Sequence, residues 1–367
     1  MGNNNELFKI ALSQLHGIGP SRASQLIAKM GSINDLFAKN NREIYLQTGI
    51  AKSIIDNMNR ENALLFAEKQ MAFNLKNSIT THFFLDRDYP RRLKQCQDMP
   101  IVLYSKGKMD LNNRKIVSIV GTRNQTEYGY KVLKELINTF IGNDILVVSG
   151  LAYGVDISAH RFCIDNTIQT AAVLGHGLDR IYPFRHKKTA IEMMEFGGLI
   201  TEFGINTNPD RMNFPMRNRI VAGLADATIV IESKAKGGSM ITAELANDYN
   251  RDVFAYPGDV EKPYSEGCNQ LIRGQKAHLI TNGNEFLNFM NWKEERIQPS
   301  PQRILFEEFS DEEKIVLEIL QQNKELHMDV ISFKSNLSAS KMNVILFNLE
   351  MKNAVAQLSG RRYKLAF

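Results

Sequence analysis

Short apolar segments alternate with helical patterns along the middle of the chain, and this alternation restricts the fold more than any other feature. Strands joined through a helix pair in parallel, because the helix returns the chain to the same end of the sheet. The apolar character of almost every strand position indicates that both faces of the sheet are covered. We therefore predict an α/β fold with a Rossmann-like, doubly wound, mostly parallel sheet. The strand candidates are residues 116–120, 145–149, 170–174, 199–203, 228–232, 253–256 and 277–280.

Two further segments precede these strands, and residues 83–90 and 100–107 are predicted as an initial strand and an edge strand. In a doubly wound sheet, ligands bind beyond the carboxyl ends of the strands. The residues that follow each strand are therefore the first candidates for a functional site. The helical patterns between the strands cover residues 127–141, 153–163, 187–195, 217–224, 239–249 and 269–271.

The N-terminal residues predict a helical (helix-hairpin-helix/SAM-like) domain. Gly17 and Gly19 permit a tight hairpin, and Pro20 suits the first turn of the helix that follows. This segment resembles a helix-hairpin-helix motif, in which backbone amides at a helix N-terminus bind a nucleic-acid phosphate. A tight turn inside a small helical bundle remains the alternative, since Arg22 and Lys29 are the basic residues nearby.

The C-terminal residues follow a different pattern, which predicts a winged helix. Ser310 followed by Glu313 forms a capping box at the start of a helix. Three helical patterns precede two strand patterns, and this order is typical of a winged-helix domain. The patterns cover residues 311–321, 327–334, 340–351, 354–358 and 363–367.

Four segments are expected along the chain. A helical pattern over residues 51–75 closes the N-terminal helical domain, and a polar, proline-containing stretch at residues 294–301 separates the α/β core from the tail. The helical domain, the Rossmann-like core, the linker and the winged helix are assigned to residues 1–78, 79–292, 293–309 and 310–367.

The composition excludes several classes of protein. Hydrophobic residues make up 43% and charged residues 23%, which is typical of a globular protein. No apolar run is long enough to cross a bilayer, and the N-terminus lacks the regions of a signal peptide. Cys96, Cys163 and Cys268 are scattered, so we expect neither a disulfide framework nor a metal site. The net charge of +5 is compatible with a polyanionic partner.

Glycine-rich turns follow several of the predicted strands. A Gly-Gly-Ser turn at a helix start presents amide groups to a phosphate, although tight strand–helix turns need glycine in any case. Several such turns at one edge, with Arg123 and Lys236 beside two of them, favour a phosphate or oligonucleotide site. Arg180 stands where a dinucleotide fingerprint needs its third glycine, and no P-loop sequence occurs. The turns are residues 121–123, 150–156, 175–179, 202–204 and 236–239.

Three arginines lie within nine residues beside an aromatic ring, in the segment from Asp210 to Arg219. Single-stranded nucleic acid is bound by this combination, because cations follow the phosphates while an aromatic face stacks a base. A solvated helix start with one buried phenylalanine, Phe214, is the alternative explanation. The position after the fourth strand of the core favours binding.

Other polar residues at the strand ends are expected to have structural roles. His160 and His176 lack a partnered nucleophile, and Asp156 and Asp179 are expected to fix local turns. Glu202 either orients an arginine such as Arg123 or takes part in acid–base chemistry.

Taken in order and spacing, six motifs resemble the DNA-processing protein A family (DprA/Smf) over about residues 80–285. The ends of the chain fit as well, since many members carry a small helical domain before this core and a winged helix after it. The motifs are residues 118–123, 148–160, 172–183, 214–223, 237–246 and 267–272.

The resemblance implies a non-catalytic bacterial cytoplasmic protein without metal or cofactor. Members of this family bind incoming single-stranded DNA during natural transformation, protect it and load the RecA recombinase, usually as homodimers formed through the core. Carried over by motif, Arg123 binds a phosphate, Phe214 stacks a base, and Arg217 and Arg219 line a basic track. The expected DNA-binding residues are Arg123, Ser149, Gly150, Gly154, Arg211, Phe214, Arg217, Asn218, Arg219, Lys236, Gly237, Gly238 and Ser239.

The chain departs from the family pattern at two places. The fourth core strand ends in Glu202-Phe203-Gly204, where many members have a proline, and the loop at residues 205–211 is unlike the common Pro- and Gly-rich version. The path of DNA past Arg211 therefore stays open.

Two other functions are compatible with parts of the sequence. A nucleotide phosphoribohydrolase of the lysine-decarboxylase-like type carries Gly-Gly-x-Gly-Thr at a helix start, whereas Met240 and Ile241 stand in the Gly-Thr positions here. A bulky Met240 is expected to obstruct a mononucleotide phosphate. Alternatively, the two end domains carry the binding and the core is a dimerising scaffold. The third helix of the winged helix is poor in base-reading residues, with Lys341, Asn343 and Asn348 expected to be exposed.

Overall fold

A central sheet of nine strands organises the larger part of the chain. The computed structural model describes residues 2–293, 309–323, 325–352 and 354–366. By internal contacts the chain divides into two compact units, residues 1–293 and 294–367. The predicted linker at residues 293–309 lies, apart from its two end residues, outside the described residues. The predicted limits of the four segments stay a prediction.

The sheet has the order β1-β2-β6-β5-β4-β3-β7-β8-β9. Strands β3 to β9 are mutually parallel, and β1 and β2 add an antiparallel edge next to β6. The mostly parallel doubly wound fold is therefore confirmed. The strands are β1 (Thr80–Phe83), β2 (Val102–Gly107), β3 (Lys115–Val120), β4 (Ile145–Ser149), β5 (Thr170–Val173), β6 (Gly198–Thr201), β7 (Ala227–Val230), β8 (Asp252–Ala255) and β9 (His278–Leu279).

The direction of the winding reverses between β3 and β7. From β3 the chain proceeds outward through β4, β5 and β6, and helix α10 (Asn213–Leu224) then returns it to β7 on the other side of β3. Ser118 and Thr228 face each other across this junction, with 2.7 Å between their hydroxyl oxygens. A reversal of this kind opens a crevice at the carboxyl ends of the two neighbouring strands.

Both faces of the sheet are covered, as the continuous apolar strands predict. Val117 and Ile119 of β3 belong to a buried cluster with helices of one face, while Ile116 and Val120 belong to a second cluster. The helices of the first cluster are α7 (Glu127–Thr139), α8 (Val155–Asp165) and α13 (Gly283–Phe289). Those of the second are α10, α11 (Gly238–Asp248) and α12 (Glu266–Arg273). Helix α9 (Lys187–Glu192) packs in a smaller cluster near the end of β5.

Helices at the N-terminus share the second buried cluster with the sheet. The predicted helix over residues 51–75 is wrong in one respect, because Asn59 adopts a left-handed conformation (φ 49°) and divides it. The helices are α1 (Gly2–Ser13), α2 (Pro20–Met30), α3 (Ile33–Ala38), α4 (Asn41–Thr48), α5 (Lys52–Asp56) and α6 (Arg60–Asn77). The segment predicted as a strand at residues 83–90 is likewise wrong, since β1 ends at its first residue and a turn follows.

The glycine hairpin before α2 has the expected geometry. Gly17 has a φ of +74°, Gly19 caps the helix, and Pro20 occupies its first turn. The two nearby cations, however, are bonded to carbonyl oxygens of their own domain: Arg22 to Gly17 at 2.7 Å and Lys29 to Thr48 at 2.7 Å. This arrangement fits the tight-turn explanation of the motif.

The C-terminal unit has the predicted winged-helix order. Its helices are α14 (Asp311–Gln321), α15 (Met328–Ser335) and α16 (Ala339–Met351), and the Ser310–Glu313 capping box is present. The hairpin strands β11 (Val355–Leu358) and β12 (Arg362–Leu365) pair, and the short β10 (Leu326–His327) joins them at the edge. Lys341, Asn343 and Asn348 are exposed on α16. No helix within the described residues is long and apolar enough to span a membrane.

Candidate nucleic-acid interface

A pocket of about 830 Å³ lies where the winding of the sheet reverses. Its walls come from the loops after β3 and β7, the start of α10 and the loop before α12. Eight of the thirteen predicted binding residues line it. They are Arg123, Arg211, Phe214, Arg217, Asn218, Gly237, Gly238 and Ser239.

Phe214 is half-buried in the first turn of α10. A side chain at Gly175, after β5, would begin only 3.1 Å from the Phe214 ring, so glycine permits this close packing. The Tyr182 ring lies 6.1 Å away between centroids, and the guanidinium carbon of Arg123 lies 5.8 Å from the Phe214 centroid. The pocket therefore combines a fixed aromatic ring with an exposed cation.

Arg123 is held at the pocket by the turn that follows β3. The amide of Val155 donates to the carbonyl of Thr122 at 3.2 Å. Gly154 has a φ of +75°, and a Cβ there would lie 2.2 Å from the same oxygen. Gly154 does not line the pocket, and its role in the structure is to let this turn approach the start of α8.

The Gly-Gly-Ser turn opens α11 as the sequence predicts. Gly237 is the N-cap residue, and the Ser239 hydroxyl donates to that of Ser233 at 2.8 Å. Because the first amides of a helix have no intrahelical partner, this turn can bind an anion. Lys236 is exposed but does not line the pocket, whereas Lys234 does.

Arg217 lines the pocket but is buried, with 5% of its surface exposed. It donates to the carbonyl of Val173, and a Cβ at Gly150 would lie 2.1 Å from its guanidinium. Burial lowers the pKa of Arg217, and the nearby Asp156 opposes that shift. Burial conversely raises the pKa of Asp156, which is 8% exposed, and Arg217 opposes it.

Ser149 lies beneath the surface, so its side chain cannot contact a ligand in the pocket. It is fully buried and its hydroxyl donates to the carbonyl of Ile119 at 2.6 Å. Asp156 accepts a bond from the amide of Ala152 at 3.3 Å, which confirms its expected role in the local turn.

Arg219 points away from the pocket. Its guanidinium donates to the Glu202 carboxylate and to the carbonyl of Asp98. Glu202 therefore orients an arginine, as one of its two expected roles requires, but the partner is Arg219 and not Arg123. Burial raises the pKa of Glu202, and Arg219 counteracts the shift. On the surface side, the Asn218 amide reaches the carbonyl of Gly238 at 3.4 Å.

The two histidines have the structural environments expected from the sequence. His160 is fully buried and bonded to the Thr170 hydroxyl at 2.7 Å, and burial lowers its pKa to about 3. His176 is buried in the turn after β5, where the Tyr182 amide donates to its ring at 3.3 Å. Asp179 pairs with Arg180 at 2.7 Å. Within the described residues, no group of His, Cys, Asp and Glu is arranged to hold a metal ion.

Several residues of the site were not found from the sequence. Lys234 lies in the loop after β7, four residues beyond its end and closer to the strand than Lys236, so its position after a strand points to it as readily. Tyr264 and Asn124 come from separate loops without a motif, and they line the pocket together. Glu232 is buried and accepts bonds from the amide and hydroxyl of Thr126, so it fixes the start of α7.

The argument from Met240 against a mononucleotide site needs correction. Met240 is buried in the hydrophobic cluster and does not line the pocket. Ile241 lines it instead. The bulky side chain in the place of the Gly-Thr pair is therefore isoleucine, and the pocket wall is apolar there.

Comparison with known proteins gives matches along almost the whole chain. The model of the family described as DNA recombination-mediator protein A matches residues 80–291, and that of the DprA winged helix domain matches residues 298–361. The protein Smf of Synechocystis sp. is 29% identical over 99% of this chain and all of its own length. The DNA processing protein DprA of Streptococcus pneumoniae is 39% identical over 55% of this chain and 71% of its own length.

Solved structures give the same assignment. The X-ray structure of DprA from S. pneumoniae matches with a TM-score of 0.63 and 31% identity, covering 78% of this chain and 97% of its own. DprA from Helicobacter pylori, described for its single-stranded DNA binding mode, matches with a TM-score of 0.53 and 30% identity. That match covers 58% of this chain and 95% of its own. Since the matched family model spans more than half of the residues, including every wall of the pocket, the chain belongs to the DNA recombination-mediator protein A family.

Proposed function

We propose that this chain binds single-stranded DNA in the pocket at the sheet reversal and acts as a non-catalytic mediator that protects the strand and loads the RecA recombinase in transformation or recombination. The observation that carries the proposal is the pairing of Phe214 with Arg123 at the pocket. An aromatic face stacks any base and a cation neutralises a phosphate, so the pair suits a single strand of any sequence.

The chemistry around the pair agrees with binding. Phe214 is half-buried, packed against Gly175, and therefore oriented in advance of the ligand. Arg123 is exposed and can leave the ring for a phosphate. The amides of Gly237 and Gly238 lie at the same pocket and can donate to a further phosphate oxygen. DprA of H. pylori, which is similar to this chain, is described as a single-stranded DNA-binding protein.

The test is fluorescence anisotropy of the full chain with a labelled oligo-dT over a salt series. For single strands, the logarithm of affinity falls by about 0.7 per neutralised phosphate for each logarithmic unit of salt. Arg123→Ala is expected to reduce the slope by about 0.7, because it removes one phosphate contact. Phe214→Ala is expected to lose about 1–3 kcal/mol with the slope nearly kept.

Matched controls are available for both changes. Lys108→Ala removes an exposed cation just after β2, and Phe196→Ala removes an exposed ring just before β6, both at the opposite edge of the sheet. Both controls are expected to bind as wild type. The proposal fails if the wild type does not bind, or if the two pocket variants bind no worse than their controls.

RecA loading and dimerisation form the finer part of the proposal. We expect the full chain to speed RecA filament formation on oligo-dT coated with single-strand-binding protein, and Phe214→Ala to lose that effect. Sedimentation is expected to give the mass of a dimer. A monomer, or stimulation that survives the loss of DNA binding, would contradict these expectations. Release of a free base from a nucleoside monophosphate would instead favour the phosphoribohydrolase.

A further inference from the structure

A second aromatic ring, Tyr264, faces the pocket from the loop between β8 and α12. Its carbonyl accepts the Ser233 amide at 2.7 Å, and its hydroxyl accepts the Asn124 side-chain amide at 3.0 Å. The Lys234 ammonium lies 5.1 Å from the centroid of its ring. All three side chains, Tyr264, Asn124 and Lys234, line the pocket. Tyr264 is therefore held at its backbone and at its hydroxyl, and its ring is paired with a cation, as Phe214 is paired with Arg123.

The two rings lie on different sides of the sheet reversal. Phe214 packs on Gly175, which follows β5, whereas Tyr264 is bonded to Ser233, which follows β7. In the order β5-β4-β3-β7 these strands are three spacings apart, or about 14 Å. Arg123 follows β3 and stands between the two rings.

We infer that Tyr264 and Lys234 form a second base-stacking position, so that one single strand crosses the pocket from Phe214 past Arg123 to Tyr264. The inference rests on the proposed function. At about 3.4 Å per stacked nucleotide, the span of about 14 Å corresponds to about four nucleotides, and to fewer if the strand is extended.

The cation over each ring is compatible with this path. An exposed cation–π contact contributes about 2- to 5-fold to an equilibrium constant, whereas a stacked base contributes about 5- to 150-fold. A base therefore displaces Lys234 from the Tyr264 ring, and the exposed lysine then reaches a neighbouring phosphate. If Tyr264 had only a structural role, that role would depend on its hydroxyl bond to Asn124. The effect of substituting it would then be the same for DNA of every length.

The experiment is anisotropy with oligo-dT of three to twelve nucleotides, using full-length Tyr264→Ala, Tyr264→Leu and Tyr264→Phe. We expect Ala and Leu to weaken binding of the longer oligomers by about 5- to 150-fold. The shortest oligomers, which reach Phe214 alone, are expected to bind as they do to wild type. Tyr264→Phe keeps the ring and is expected to bind every length almost as wild type does. Thermal melting of each variant separates a lost contact from a lost fold.

Each outcome has a distinct meaning. Equal losses at all lengths, or a loss in Tyr264→Phe as large as in Tyr264→Ala, overturn the inference and assign the tyrosine a structural role. Wild-type binding by Tyr264→Ala while Phe214→Ala loses affinity also overturns it, but leaves the proposed function intact. No binding by wild type overturns both. A second readout is the fluorescence of 2-aminopurine placed along the strand, with two quenched positions in wild type and one in Tyr264→Ala.

Discussion

A substitution at Arg217 tests whether this arginine stabilises the fold or binds DNA. In Arg217→Met the aliphatic volume is largely kept, but the guanidinium that donates to Val173 is lost. Asp156, 8% exposed, then stays buried without the positive charge that opposes the upward shift of its pKa. Losing the charged hydrogen bond to Val173, with the buried carboxyl left uncompensated, costs about 1.5–3 kcal/mol. For a unit of this size, that loss corresponds to a fall in Tm of about 2–5 °C.

Calorimetry of the full chain measures this effect, with the exposed Arg87→Met as a control expected to stay within about 0.5 kcal/mol of wild type. The double variant Arg217→Met with Asp156→Asn is expected to recover part of the loss, since no charge then remains buried. An acid whose pKa is raised by folding stabilises the native state at low pH, and that stability is lost as pH rises through the folded pKa. The difference between Arg217→Met and wild type is therefore expected to be larger at pH 7 than at pH 5.

The salt dependence of DNA binding can refute the structural role of Arg217. If Arg217 stabilises the wall of the pocket and does not contact a phosphate, Arg217→Met keeps the salt slope of wild type, while Arg123→Ala lowers it by about 0.7. A variant that melts as wild type and loses the same slope as Arg123→Ala would place the guanidinium on a phosphate. That result would refute the structural role derived from its burial.

Two further predictions concern stability. Gly154→Ala is expected to lower the free energy of unfolding by about 1–3 kcal/mol and to weaken DNA binding, because the φ of Gly154 is +75° and the new Cβ would meet the Thr122 carbonyl. The control in thermal melting is Gly238→Ala, since a Cβ there meets nothing within 4 Å. His160, whose pKa is lowered to about 3 by burial, destabilises the native state as pH falls from 6.5 toward 3, because the unfolded chain takes up a proton that the native state does not. His160→Asn is expected to show a shallower loss of stability over that range in pH-dependent denaturant titrations, and equal slopes would contradict the assignment.

Most of the sheet could be predicted because its signal is local. A parallel strand covered on both faces must be apolar at nearly every position, so β3, β4 and β5 stand out as uninterrupted runs. The division of the helix at Asn59 could not be predicted in this way, since a left-handed residue within a helical pattern depends on tertiary packing. The edge strand β1 was misplaced for a related reason: its pairing with β2 decides its register, and a four-residue strand has little periodicity of its own.

The two rings of the pocket differ in how visible they are in the sequence. Phe214 lies among arginines after a strand, so composition alone points to it. Tyr264 reaches the pocket through a loop that follows β8, and only its bonds to Ser233 and Asn124 bring it there. These contacts join residues that are separated by 31 and by 140 positions along the chain, so a local sequence pattern cannot predict them.

The arginines of α10 show how one helix start decides what a motif does. A helix advances about 100° per residue, so residues three and four positions after Phe214 share its face, whereas the fifth lies about 140° away. Arg217 and Asn218 accordingly line the pocket with Phe214, and Arg219 turns toward Glu202. The sequence pattern began this helix at residue 217, although α10 begins at Asn213. If the helix is started at Asn213, its periodicity alone places Arg219 away from the pocket. The wrong prediction that Arg219 lines the DNA site therefore comes from the misplaced helix boundary and not from the chemistry assigned to the residues.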